Sequence, residues 1–426
     1  MEKIDAEKIL RECKRAGADS AEVFVSLGKN VSISSESGKL SEVREGESFG
    51  FGIRVIRKGK VGFSFGNSPE KAPLVARKAV LNSRIGGELP ALPGKTRVPK
   101  VDGLYYPKIG EISGKDIIDR VKEIISASRG AGARPTYAGV SAGIGKTIVA
   151  NTNGLLLEEK GTSVSAGSYS SSGSSTGFES KALREDSLDY SEIGRVSGER
   201  AVLGKGQEAF GTRKGILMLL HPYAVEGLLS GALIPSIDGE NVFRKNSAFS
   251  GRLGEKMFSD DLTLEDNGLL EGGLGSSSFD SEGVSSKRTA VFEKGVLKNF
   301  LTNWETSLKM KTKSTGNASR GSSSIPKIAP TNLVLSPGRI GKDELEKEAE
   351  IKILWFSGTH TINPFSGDFS VEAKNVFSGK GRALKSGIVA GNIFEILKEI
   401  RVAKDGVERS GEMITPPVLI RADYVS

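Results

Sequence analysis

Few side chains in this 426-residue sequence are equipped for catalysis, and their scarcity is itself informative. There are two histidines, His221 and His360, and one cysteine, Cys13. A three-histidine zinc site and an imidazole relay are therefore out of reach, and one cysteine excludes a disulfide framework. His221 opens the stretch His221-Pro222-Tyr223-Ala224-Val225-Glu226, directly after the apolar run Gly215 to Leu220. A zinc-protease helix presents two histidines and a general-base glutamate on one face at fixed spacing. Here Pro222 stands where that base would be, and a proline ring cannot take up a proton.

Two other stretches carry chemistry-bearing residues. In Ser278-Phe-Asp-Ser-Glu-Gly283, Asp280 and Glu282 lie two apart and would share a face in a strand. Such a pair can act as acid and base, hold a cation, or cap a turn. In the stretch from Gly358 to Ser370, His360 and Asp368 flank the turn signals Asn363-Pro364 and Ser366-Gly367. They are either functional or satisfy loop backbone. Nucleophilic serine chemistry finds no support, because no Gly-x-Ser-x-Gly elbow appears and only two imidazoles can serve as base. Gly143-Ile-Gly-Lys-Thr147 ends like a phosphate-binding loop, but Val140 occupies the first glycine position and strand residues follow where a helix is required.

The elements that must position these residues follow from periodicity. Ala6 to Ala16 reads as a helix with Ile9, Leu10 and Cys13 on one face, Asp5 as its cap and Gly17 as its stop. The period then changes to two in Ala21–Ser26 and Val31–Ser34, and Gly50 to Gly66 reads as a hairpin turning at Arg57-Lys-Gly-Lys60. Helices are expected from Ser68-Pro69, over Asp116–Ser128 and over Ser187–Leu203, with a Gly/Pro-rich connection at 86–110. Tyr137–Ala142, Lys146–Asn151 and Leu155–Glu159 read as strands. Gly215–Leu220 reads as a buried strand running into His221-Pro222 and a short helix through Leu229. Beyond Ser236 come short apolar runs and turns. They are interrupted by a charged helical turn at 342–350 before the strand Ile351–Phe356, a helix after Gly391-Asn392, and a closing strand at Val418. The chain is expected to be α+β. An N-terminal mixed α/β domain with an antiparallel sheet would span 1–205, and a β-rich C-terminal domain 206–426.

Composition and charge narrow the function classes. Glycine and serine together make about a quarter of the chain, which suits either a turn-rich β fold or a flexible segment. The tract Gly161 to Ser180 is the extreme case, with nine Ser and four Gly, yet Val164, Ala166, Tyr169 and Phe178 recur at strand-like intervals. No apolar window is long enough to cross a membrane as a helix, and the charged start does not resemble a signal peptide, so a cytoplasmic protein is expected. The net charge of +8 concentrates in residues 51–134, with 17 Lys/Arg against 7 Asp/Glu, while 259–282 carries seven acids and no base. The basic window raises nucleic-acid binding as an alternative, although no aromatic-interleaved basic run or recognition helix accompanies it. Charge separation of this kind equally serves a complementary protein interface.

Taken in order, the segments resemble the TldD/PmbA family, also called modulators of DNA gyrase. The resemblance rests on Gly17-Ala-Asp-Ser-Ala-Glu-Val, Gly52-Ile-Arg-Val with Gly59-Lys-Val-Gly-Phe, and Phe279-Asp-Ser-Glu-Gly-Val with Gly295-Val-Leu. Ser314-Thr-Gly-Asn-Ala-Ser-Arg320, Asn363-Pro-Phe-Ser-Gly-Asp-Phe-Ser370, Gly391-Asn392 and Thr415-Pro-Pro-Val-Leu complete the series. The family contains two kinds of subunit that pair as a metalloprotease. The TldD kind binds zinc through a His-Glu-x-x-x-His helix and a late cysteine. This sequence departs at both places, with His221-Pro222…Glu226 and no C-terminal cysteine.

The resemblance therefore implies the PmbA (TldE) kind, a non-catalytic subunit without its own zinc, working in proteolysis or maturation of unfolded peptides. Zinc would reside in a TldD-like partner. His221, Glu226, Asp280, Glu282, His360 and Asp368 would be peptide-groove or structural residues rather than catalytic ones. The resemblance also favours strands over a linker in the Gly161–Ser180 tract. The alternatives are a homodimeric hydrolase using an atypical site among those same residues, and a basic nucleic-acid-associated protein.

Overall fold

The computed structural model describes residues 5–425. Helix α1 (Ala6–Arg15) starts where the Asp5 carboxylate accepts the Lys8 N–H at 2.9 Å, and it buries Ile9 and Cys13. Strands β1 (Ser20–Glu36), β2 (Lys39–Arg57) and β3 (Lys60–Gly66) follow as hairpins. The β2–β3 turn has Lys58 and Gly59 both at positive φ, as a two-residue turn between right-twisted strands requires. Helix α2 (Ala72–Asn82) and helix α3 (Gly114–Gly130) bracket the long connection. Strands β4 (Arg134–Asn151), β5 (Leu156–Ser172) and β6 (Ser175–Leu183) then lead to helix α4 (Tyr190–Leu203).

The six strands form one antiparallel sheet in the order β3-β2-β1-β4-β5-β6. Its strands are longer than periodicity suggested. The 21–26 and 31–34 segments are one strand, as are 137–142 and 146–151, because hydrogen-bonded neighbours carry the ladder through the intervening glycines and polar residues. The Gly161–Ser180 tract is sheet, split by the β5–β6 turn. Helix α4 begins at Tyr190, three residues later than the expected start, where Asp189 caps it.

The two faces of this sheet differ. Val23, Val25, Val31 and Ile33 of β1 pack beneath the four helices in two apolar clusters. The alternate residues of the same strand, Ser26, Gly28, Asn30 and Ser32, face away from them along a trough. Gly28, Gly145 and Gly161 stand side by side across β1, β4 and β5. The Gly/Ser content thus builds a nearly bare sheet face. Glycine also seats a helix. A Cβ at Gly177 would lie 2.1 Å from the Ser197 carbonyl, so only glycine lets α4 approach β6 this closely.

The C-terminal region is strand-rich, and the whole chain is α+β. Strand β7 (Arg213–Leu220) pairs parallel with Ile351–Ser357 and antiparallel with Val418–Val425. Gly387–Asn392 and Asp368–Ser378 continue the pairing back to Ile351–Ser357, so five strands close on themselves. Helix α5 (Pro222–Ile237) leaves β7 directly with Pro222 at its first position, and ten of its residues are buried. It is longer than the short helix expected and continues past Pro235 to Ile237, because apolar neighbours surround it. A second six-stranded sheet ends in the edge strand Glu408–Ser410. Among the described residues, no helix is long and apolar enough to cross a membrane.

The N-terminal sheet and the C-terminal region meet at a buried cluster of four charges. Arg54 Nη2 lies 3.0 Å from Glu22 Oε2 and 2.7 Å from Glu282 Oε1, and Arg320 Nη2 lies 2.5 Å from Glu22 Oε1. All four side chains are almost fully shielded from water. The Trp304 N–H donates to the other Glu282 oxygen at 2.7 Å, and Arg320 lies over the Phe24 ring. Balanced charges at contact distance offset much of their desolvation, whereas one charge left alone does not. Glu282→Ala is therefore expected to cost about 3–5 kcal/mol in denaturant unfolding. An Arg54→Met/Glu282→Leu pair should cost less than either single change. A loss below about 1 kcal/mol for Glu282→Ala, the worth of an exposed pair, would show the cluster to be unimportant for stability.

Candidate functional site

The sequence candidates fall into three places. His221 is the N-cap of α5, where its Nδ1 accepts the Tyr223 N–H at 3.3 Å. Its Nε2 lies 3.4 Å from Arg200 of α4 and 3.7 Å from Glu408. Burial, then the charges of Arg200, Lys342 and Lys181, push the imidazole down to about 3. Tyr223 donates its hydroxyl to Glu179 of β6 at 2.8 Å and to the Ser180 carbonyl at 3.0 Å. Arg200 binds Glu179 and the Phe178 carbonyl. Strand β6 and helix α4 are thereby fastened to the start of α5.

One turn further along α5, Glu226 lines a cavity of about 1040 Å³. The cavity is bounded by the bare face of β4–β6, by α5 and by residues 407–411. Burial raises the Glu226 carboxyl above its ordinary range, and Ser230 donates to it at 3.3 Å. A second cavity of about 970 Å³ continues along the same sheet face, sharing Ser32 and Arg44 with the first. Together they form one long trough between the two halves of the chain.

Asp280 and Glu282 do not form an acid–base pair on a strand. They lie in a tight turn, and their two-residue spacing serves the turn instead. Asp280 accepts N–H groups from Glu282, Val284 and Ala318 at 2.9–3.0 Å, and burial followed by the Glu282 charge raises its carboxyl. Glu282 belongs to the buried charge cluster. His360 is exposed on a short 3₁₀ turn, Thr359–Thr361. Asp368 is exposed at a strand start, where the Ser366 hydroxyl and then Asn392 hold its carboxyl below the ordinary range. Glu22, Arg54, Glu179, Arg200, Tyr223 and Arg320 were not among the sequence candidates. Glu22, Arg54 and Arg320 do lie within the motif segments, but nothing local marks them as partners across about 300 positions.

A metallopeptidase zinc requires several anionic or neutral donors converging on one point. At the start of α5 the one imidazole meets Arg200, with Lys181 and Lys342 close enough to act on it, and Pro222 brings no carboxylate. No group of three or more His, Cys, Asp or Glu side chains converges as a metal site among the described residues. The residues present do not fit zinc.

Domain models of the PmbA/TldA metallopeptidases match residues 21–83 (domain 1), 107–204 (central domain) and 213–425 (C-terminal domain). The chain belongs to the PmbA/TldD family. Within it, a Methanocaldococcus jannaschii protein is 31% identical over 99% of this chain and 100% of its own length. A metalloprotease of Methanothermobacter thermautotrophicus is 28% identical, covering 91% of this chain and 87% of its own. Among solved structures, a Thermotoga maritima protein described as a modulator of DNA gyrase superposes with TM-score 0.89 at 25% identity, over 98% of this chain and 99% of that one. TldE from Thermococcus kodakarensis superposes with TM-score 0.89 at 21% identity over 99% of both chains, a likeness of fold.

The half-buried imidazole gives a pH signature. Its folded pKa lies below the unfolded value of about 6.5, so between about pH 6.5 and 3 the unfolded chain binds a proton that the folded chain refuses. Its contribution is intact above that window and is lost as pH falls through it. His221→Gln should therefore lose less stability than the parent between about pH 7 and pH 4. Parallel denaturation curves for the two proteins across that range would show His221 to be solvated.

Proposed function

We propose that this chain is the non-catalytic, TldE-type subunit of a TldD/TldE-type zinc metallopeptidase assembly acting on unfolded peptides. The observation that carries the reading is the start of α5. There Pro222 stands where a general base would be, and the imidazole of His221 lies 3.4 Å from Arg200 and 3.7 Å from Glu408, its pKa held low by burial. Zinc and the hydrolytic step belong, in this reading, to a TldD-like partner. This chain contributes a trough long enough for an extended polypeptide, with a floor of glycine and serine that accepts varied side chains. The relatives named as metalloproteases support the reaction class. The single, buried thiol of Cys13 suits a reducing, cytoplasmic setting.

Reconstitution tests the proposal. The purified chain alone should neither retain stoichiometric zinc after dialysis nor cleave an unfolded peptide such as reduced, carboxymethylated casein. Mixed with a TldD-like subunit and zinc, it should co-elute with that subunit on sizing and support cleavage. Full cleavage by the partner alone with no complex, or zinc-dependent cleavage by this chain alone, would overturn it.

A further inference from the structure

We propose that the wall of aromatic rings in the α5 cavity is a subsite for aromatic side chains of an extended peptide, whose backbone pairs with the free edge of strand Glu408–Ser410. The proposal deepens the functional reading above and rests on it for the class of ligand. Four aromatic side chains and one imidazole form a continuous series across the domain boundary. Tyr137 and Tyr169 sit opposite each other on β4 and β5, their ring centres 6.2 Å apart and edge to face. Tyr169 lies 4.7 Å from Phe178, Phe178 lies 5.5 Å from Tyr223, and Tyr223 lies 4.9 Å from His221.

The inner end of the series is buried and structural. The outer end is not, since Tyr137 and Tyr169 remain 40% and 43% exposed inside a cavity. Large rings left in a cleft with apolar neighbours mark a place where another apolar group is received. The floor is shaped around them. The Tyr137 hydroxyl occupies the space that a Cβ at position 139 would fill, so Gly139 allows this ring to lie down along the sheet.

The opposite wall points to a peptide rather than another ring-stacking ligand. Among the described residues Glu408–Ser410 is the last strand of its sheet, paired only with Met413–Thr415, and Val407 to Gly411 line the cavity. An edge strand offers unpaired N–H and C=O groups to a further strand. In a bound strand alternate side chains would then turn toward the tyrosines. A sugar stacks on rings too, but it has no use for a free strand edge, which is what this wall sets beside the rings.

Trp355 lines the same cavity, and its fluorescence reports occupancy. The full chain is titrated with a short acetylated peptide alternating phenylalanine and serine, and with its alanine–serine counterpart. The phenylalanine peptide should bind saturably and change the emission, and Trp355→Phe should abolish that signal. Tyr169→Ala and Tyr137→Ala, at exposed positions, should each weaken binding about three- to tenfold with an unchanged circular dichroism spectrum. Equal binding of both peptides, or unchanged affinity in both folded tyrosine variants, would overturn the proposal. So would binding of an N-acetylglucosamine oligomer in place of peptide. The outcomes separate from the functional reading. A complex with a TldD-like subunit that cleaves both peptides equally defeats the subsite alone, and aromatic-selective binding without any such complex defeats the subunit assignment alone.

Discussion

Two carboxylates and two guanidiniums, taken out of water at the seam of the molecule, decide where the trough runs. Glu22 and Arg54 stand opposite each other on β1 and β2, while Glu282 comes from a turn of the C-terminal region and Arg320 directly follows its strand Ala318–Ser319. Each charge is tolerable only because the others are within contact distance. Alternate residues of β1 point to one face, so fixing Glu22 against the C-terminal region commits Phe24, Ser26, Gly28 and their successors to the trough. A similar fastening of Arg200, Glu179 and Tyr223 holds the far end. Between these two points the bare sheet face stays open.

This arrangement gives the composition a physical reason. One face of the N-terminal sheet follows ordinary rules, with β-branched residues packed under helices. The other face has small residues where a second apolar layer would ordinarily stand. Side chains that filled it would close the trough. Where bulk does reappear, as Tyr137 and Tyr169, it is at the cavity beside α5.

At the α5 junction the helix start is fixed by packing and by hydrogen bonds to neighbouring elements. The strand, the helix and its first proline are built as a buried element. The imidazole that begins it caps the helix, and burial, then the charges of Arg200, Lys342 and Lys181, hold its pKa low even with Glu408 3.7 Å away.

Much of this was legible in the residues alone. Periodicity marked α1, the β2–β3 hairpin and α3, since local packing faces repeat at 3.6 or 2.0 residues. The two histidines, the single cysteine and Pro222 bounded the chemistry, because residue types limit what any fold can do. The ordered motifs pointed to the family. What they could not reveal was their purpose. Glu22, Arg54, Glu282 and Arg320 each sit in one of those segments, yet Asp280 and Glu282 read locally as a pair of acids on a strand, whereas the turn aims them at different partners. Strand length, the bare face of the sheet, the neutral imidazole and the ring series all depend on neighbours brought from distant parts of the chain. Charge state and exposure are properties of surroundings, and only the tertiary structure supplies those.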